Sequence, residues 1–150
     1  MGWLGLGDWR EANEELEKIT LSFRSHPDVL EIRFQIYAKV KKWEPCVDIG
    51  NALVKAVPNR PFGWLHRSFA LHELKRTQEA ADLLVPAAFR FPKEWLISYK
   101  LACYACQLGK RKEAWEWLEY AFDLSGGTEV KLMALHDPDL ETLRMEILES

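Results

Sequence analysis

The sequence predicts an all-α protein built from stacked antiparallel helix pairs, and three observations predict it. First, small or apolar residues recur every 34 positions: Ala12, Cys46, Ala80 and Ala114 form one series, Leu6, Val40, Leu74 and Leu108 a second, and Ile19, Leu53, Ala87 and Ala121 a third. A fixed period of this kind marks a repeat architecture. Second, apolar residues return at three- and four-residue steps along most of the chain, the spacing of a helix face. Third, no stretch alternates apolar and polar residues as a half-buried strand does.

Each period contains a turn signal. Gly7, Lys41, Lys75 and Gly109 follow the Leu or Val positions and precede a charged, helix-favouring stretch. Pro27 and Pro61, also 34 apart, open helices at a place where a missing N–H is harmless. Each period therefore reads as a helix A, a tight turn and a helix B. The spacing predicts helices over 9–23, 28–40, 43–56, 61–74, 76–90, 94–108 and 111–124. Pro86 falls inside the fifth and is expected to kink it, because it removes a backbone hydrogen bond.

Gly126-Gly127 stops the last of these helices, and Val130, Met133 and Ala134 predict a short one beyond it. Asp137-Pro138 then reads as an N-cap followed by proline at the first helical position. Leu140, Leu143, Ile147 and Leu148 form an apolar stripe opposite Glu141, Arg144 and Glu149. This is the expected C-terminal capping helix, since each unit of an array buries its apolar face only against its neighbours. The N-terminal side differs: only residues 3–6 stand where a first helix A is expected, leaving Leu16, Ile19 and Phe23 short of cover. That face is expected to be a homodimer interface, a junction within a longer protein, or a ragged monomer end.

The chain has 150 residues, 48% of them hydrophobic, enough for one core or its elongated equivalent. Its formal charge of -3 is spread along the whole length with no basic run, which argues against nucleic acid as a partner. No stretch approaches the 18 or so apolar residues of a membrane span, and Trp3 to Leu6 is too short for a signal peptide. Leu6 stands where a myristoylation signal has Ser or Thr. Three cysteines, Cys46, Cys103 and Cys106, cannot pair completely, which fits a reducing, cytoplasmic setting.

A 34-residue unit with Trp or Tyr and small residues in helix A, then Gly, then Ala and a large apolar residue in helix B resembles the tetratricopeptide repeat. The unit from Trp95 to Thr128 matches best, with Leu101, Ala102, Gly109, Ala114, Leu118 and Ala121; the one before it offers Trp64, Ser68, Leu71, Ala80, Leu84, Ala87 and Pro92. The match covers residues 3–126, and the whole is similar to bacterial repeat proteins of this type. Arg33 and Arg67 stand where the family has Leu, and Gly50 replaces a large helix B residue. The resemblance implies a right-handed superhelical α-solenoid. It comprises a single domain with a partial first repeat at 3–26, repeats at 27–60, 61–94 and 95–128, and a cap at 129–150.

The resemblance also implies a function: a scaffold or adaptor whose A helices line a concave groove for a partner's peptide or helix. By register the groove carries Glu31, Gln35 and Lys39, then Leu65, Phe69 and His72, then Tyr99, Cys103 and Gln107, with Lys100 beside them. Arg33 and Arg67 hold identical register positions and are expected either to receive an acidic segment together or to pair with carboxylates such as Glu31 and Glu73. At the places where some relatives clamp a C-terminal carboxylate this chain has Glu31, Gln35, His66, Leu96 and Lys100. Only Lys100 suits that task, so capture of a chaperone tail is not expected.

No catalytic constellation is legible. Nucleophile-elbow, phosphate-loop and HExxH motifs are absent, and His26, His66, His72 and His136 form no acid–base set. Cys103 and Cys106 have CxxC spacing, but in mid-helix their Cβ atoms lie about 5–6 Å apart, beyond the ~3.5–4.5 Å of a disulfide. A metal site of Cys103, Cys106 and His72 is the remote alternative to plain packing. No cofactor, metal or enzymatic activity is expected. Trp115 and Trp117, two apart on one helix, face different sides.

Overall fold

The computed structural model describes residues 10–14 and 25–150. The chain divides into two compact units, residues 1–75 and 76–150, and the division falls beside Lys75, at the turn inside the 61–94 repeat. All regular structure among the described residues is helical.

The first unit contains α1 (Pro27–Lys39), α2 (Trp43–Ala56) and α3 (Pro61–Glu73), and residues 10–14 are helical as well. Pro27 occupies the start of α1, where the His26 ring nitrogen accepts the Asp28 N–H and Asp28 adds a negative charge to the N-terminal end. The helix ends in a left-handed residue, Lys41 at φ 59°. Around it the Lys41 N–H donates to the Ala38 carbonyl and the Lys42 N–H to Tyr37, so two terminal carbonyls find partners. Lys75 repeats the conformation at φ 65°. The core is Phe34, Ile36, Cys46, Leu53 and Leu71, each almost without exposure.

The second unit contains α4 (Thr77–Arg90), α5 (Trp95–Gln107), α6 (Arg111–Ser125) and α7 (Thr128–Leu135). A 3-10 segment, Pro138–Leu143, and α8 (Arg144–Glu149) complete it. Gly109, at φ 75°, closes α5 with the same bonding as Lys41: Gly109 N–H to Cys106, and Lys110 N–H to Ala105. Pro86 does not end α4, which runs on to Arg90.

The 34-residue register is a packing register. Cys46, Ala80 and Ala114 are each 0% exposed and Ala12 is 2%; Leu53, Ala87 and Ala121 are buried as well. At Cys46 the B helix approaches its A helix closely, with Sγ 3.7 Å from the Phe34 carbonyl, and only a small side chain fits there. The expected short helix is α7, and the expected capping helix is divided into the 3-10 segment and α8. Leu140, Leu143 and Ile147 are buried with Val130 and Ala134 against Tyr99, Leu118 and Ala121, and the Asp137 side chain accepts the Asp139 N–H as the expected N-cap.

Candidate partner-binding groove

In the first unit the A helices α1 and α3 border a cleft of about 730 Å³. Its apolar lining is Phe34, Ala38, Trp43 and Phe69, with His66; Gln35, Lys39, Lys41 and Glu73 supply the polar groups. The rings hold one another in place. Trp43 meets Phe69 edge-on at 5.4 Å, His66 stacks on Phe62 at 3.7 Å, and Phe34 sits edge-on to His66 at 5.3 Å. The His66 Nδ1–H donates to the Phe62 carbonyl one turn earlier, at 2.9 Å. That bond requires a proton on Nδ1. Phe69 is 36% exposed, so part of its ring is open to solvent.

Of the residues expected in a groove, Gln35 and Phe69 line this cleft, together with Lys39. Leu65 and His72 are half-buried beside it. Glu31 pairs instead with Arg60 at 3.3 Å, and Arg60 also holds Asp28 at 2.9 Å. Arg33 lies over the Tyr37 ring one turn along its own helix, at 6.0 Å. Register alone does not mark Trp43 and Phe34 as groove residues, whereas His66 holds one of the places where some relatives clamp a carboxylate. The signal for Trp43 is its place two residues past the left-handed turn, which brings the start of helix B beside the ends of the A helices.

Two expectations are corrected. Arg67 is only 7% exposed: it donates to Asn51 Oδ1 at 3.2 Å and lies over the Trp64 ring at 5.3 Å. It is therefore a packing residue between α2 and α3 rather than a receptor for an acidic segment. Tyr99 is 2% exposed, because the cap lies over it; its hydroxyl donates to Asp137 Oδ2 at 2.7 Å. The same cap faces Gln107, whose amide approaches Asp139 at 3.5 Å. Lys100, on the same helix, is half-buried.

The cysteines of α5 belong to this clasp. Cys103 Sγ is 3.8 Å from Asp137 and Cys106 Sγ is 3.7 Å from Thr142 Oγ1. Burial, then the Asp137 carboxylate, push the Cys103 thiol well above its ordinary range, and burial raises Cys106 too. Cys103, Asp137 and Asp139 bring their ligand atoms within 4.8 Å of one another. Both Asp137 oxygens already accept hydrogen bonds, from Tyr99 and from the Asp139 N–H, and a protonated thiol is a donor. The cluster joins the cap to α5.

No family model and no curated protein matches the sequence. Solved structures do. A crystal structure of MamA superposes with a TM-score of 0.75 at 16% identity, over 97% of this chain and 85% of that one. A thermophilic TPR protein of Thermus thermophilus does so with 0.69 at 19% identity, over 97% and 93%. This chain has the tetratricopeptide-repeat fold. A chain of the CopN-Scc3 complex shares it with a TM-score of 0.62, 19% identity and coverage of 89% and 73%. The α1–α3 cleft takes Phe34, Gln35, Ala38, Lys39, His66, Phe69 and Glu73 of its lining from A helices. Leu16, Ile19 and Phe23, on which the expected N-terminal interface rests, lie outside the described residues.

Proposed function

We propose that this chain is a protein–protein interaction module, without catalytic activity, whose α1–α3 cleft receives an apolar side chain from a partner's segment. The observation that carries this reading is the cleft itself: Trp43, Phe69, Phe34 and His66 around about 730 Å³, with amide, ammonium and carboxylate groups at its edge. Aromatic anchors supply contact area and polar groups at the rim orient the backbone of a bound segment. The relatives in fold support the general class, one of them having been solved in a complex of two proteins. No helix among the described residues is long and apolar enough to cross a membrane. A reducing compartment such as the cytoplasm suits the free cysteines Cys46, Cys103 and Cys106.

The test compares wild-type chain with a Gln35→Ala, Phe69→Ala variant as bait in native extract, after circular dichroism shows equal helicity. A partner cross-linked to the wild type and lost from the variant supports the cleft. Equal capture by both removes it. Sedimentation of the pure chain over a concentration series separates a foreign partner from a second copy.

A further inference from the structure

The B helices of the second unit carry a surface of different chemistry. Glu113, Glu116, Trp117 and Tyr120 follow one another at steps of three, one and three along α6 and so share one face of it. Across from that face α4 contributes Ala88 and Phe89, and together they line a cleft of about 420 Å³. The two tryptophans of α6 separate as their spacing requires: Trp115 packs edge-on against Phe122 at 6.4 Å, while Trp117 lines the cleft. Tyr120 is 42% exposed and Phe89 is 77% exposed. The Tyr120 hydroxyl reaches the Pro92 carbonyl at 3.4 Å.

A lone exposed Phe needs no explanation. Three aromatic residues lining one cleft whose charged lining groups are two carboxylates do point to a ligand. Aromatic faces attract a cation, Trp most strongly, and Glu113 and Glu116 add to that attraction. An acidic occupant would be repelled, and an apolar one would strip water from two carboxylates with nothing in return. A guanidinium satisfies both halves of the site, because its plane stacks on a ring while its edge donates to carboxylates.

We propose that the α4–α6 cleft docks an arginine side chain from a basic segment of a partner protein. It lies on different helices, in a different unit, from the α1–α3 cleft and stands independently of it.

The test is nuclear magnetic resonance of the full 15N-labelled chain. The indole N–H of Trp117 is one of seven and is assigned by its loss in Trp117→Phe. The probe is the pentapeptide acetyl-Ala-Arg-Ala-Arg-Ala-amide, with the same peptide carrying citrulline for arginine as its neutral control. The Trp117 indole shifts with the arginine peptide and saturates, and the citrulline peptide binds about tenfold more weakly. Phe89→Ala, which removes a largely exposed ring, and Glu113→Gln with Glu116→Gln each weaken the arginine peptide several-fold with the remaining spectrum unchanged. Equal binding of citrulline, or equal binding by the glutamine variant, overturns the proposal. So does a titration in which other indoles move and Trp117 does not.

Discussion

A Cβ built on Gly50 would stand 2.7 Å from the Cβ of Arg67 and 3.0 Å from its Cα. Two of the three departures from the repeat pattern, Gly50 and Arg67, are thus one feature: a bare helix B position accommodates an Arg stem on the next helix A. Gly63 does the same from α3, where an added Cβ would meet Leu53 Cβ at 2.9 Å. Gly50→Ala gains about 1 kcal/mol of helix propensity yet is expected to destabilise by roughly 1–3 kcal/mol net, as overpacking does. Arg67→Ala keeps the offending Cβ and Cα, so it does not rescue Gly50→Ala. Urea denaturation of the two single variants and the double one checks both statements; a stabilised Gly50→Ala refutes the close approach.

Lys75 and Lys41 hold left-handed conformations that Gly109 holds without a side chain. A non-glycine residue there costs about 1 kcal/mol, so Lys75→Gly is expected to stabilise by up to that amount and Gly109→Ala to destabilise by about as much. No atom lies within 4 Å of a Cβ added at Gly109, which leaves backbone strain as the cause. Thermal melts of the two variants should move in opposite directions.

Tyr99→Phe removes the hydroxyl that reaches Asp137 and is expected to cost about 1.5–3 kcal/mol, the range for a hydrogen bond to a charged group. Leu140→Ala, at a site 0% exposed, should cost about 2–5 kcal/mol. Amide hydrogen exchange should show protection lost first in residues 128–149 in both variants. Protection lost first in α4 would mean that the cap is not what these residues hold.

Burial raises the Cys46 thiol from its ordinary 9.0 to about 12. A folded-state value above the unfolded one favours the protonated form, so its contribution is intact below pH 9. It then falls as pH rises from about 9 towards 12, by about 1.4 kcal/mol per unit. Cys46→Ala, which places at 46 the residue found at 12, 80 and 114, should flatten that part of the profile in urea titrations at successive pH values. In native protein at pH 8, iodoacetamide should label half-buried Cys106 ahead of buried Cys46 and Cys103; mass spectrometry of the peptides gives the order.

The helices were legible because helix spacing and a 34-residue period reinforce one another at each turn; α2 begins and ends at the residues the spacing predicts, and Gly126 ends α6 in the left-handed region. The groove was legible only in part. Register places Gln35, Phe69 and Tyr99 on the same face of successive A helices, but exposure depends on what lies over that face. In α5 it is the cap, through Asp137, 38 residues from Tyr99. His26, exposed in the turn before Pro27, caps α1 through its ring nitrogen, a role that depends on the chain bending there.

The sequence by itself determined the all-helical class, the A-turn-B unit and the buried small residue in each repeat, because these follow from local periodicity and from steric limits within one unit. The tertiary structure decided which faces remain open. It turned Arg67 and Tyr99 inward and left Trp43 and Phe69 around one cleft and Phe89 and Trp117 around another. A side chain's exposure is set by neighbours far along the chain, and no periodicity records which neighbour arrives.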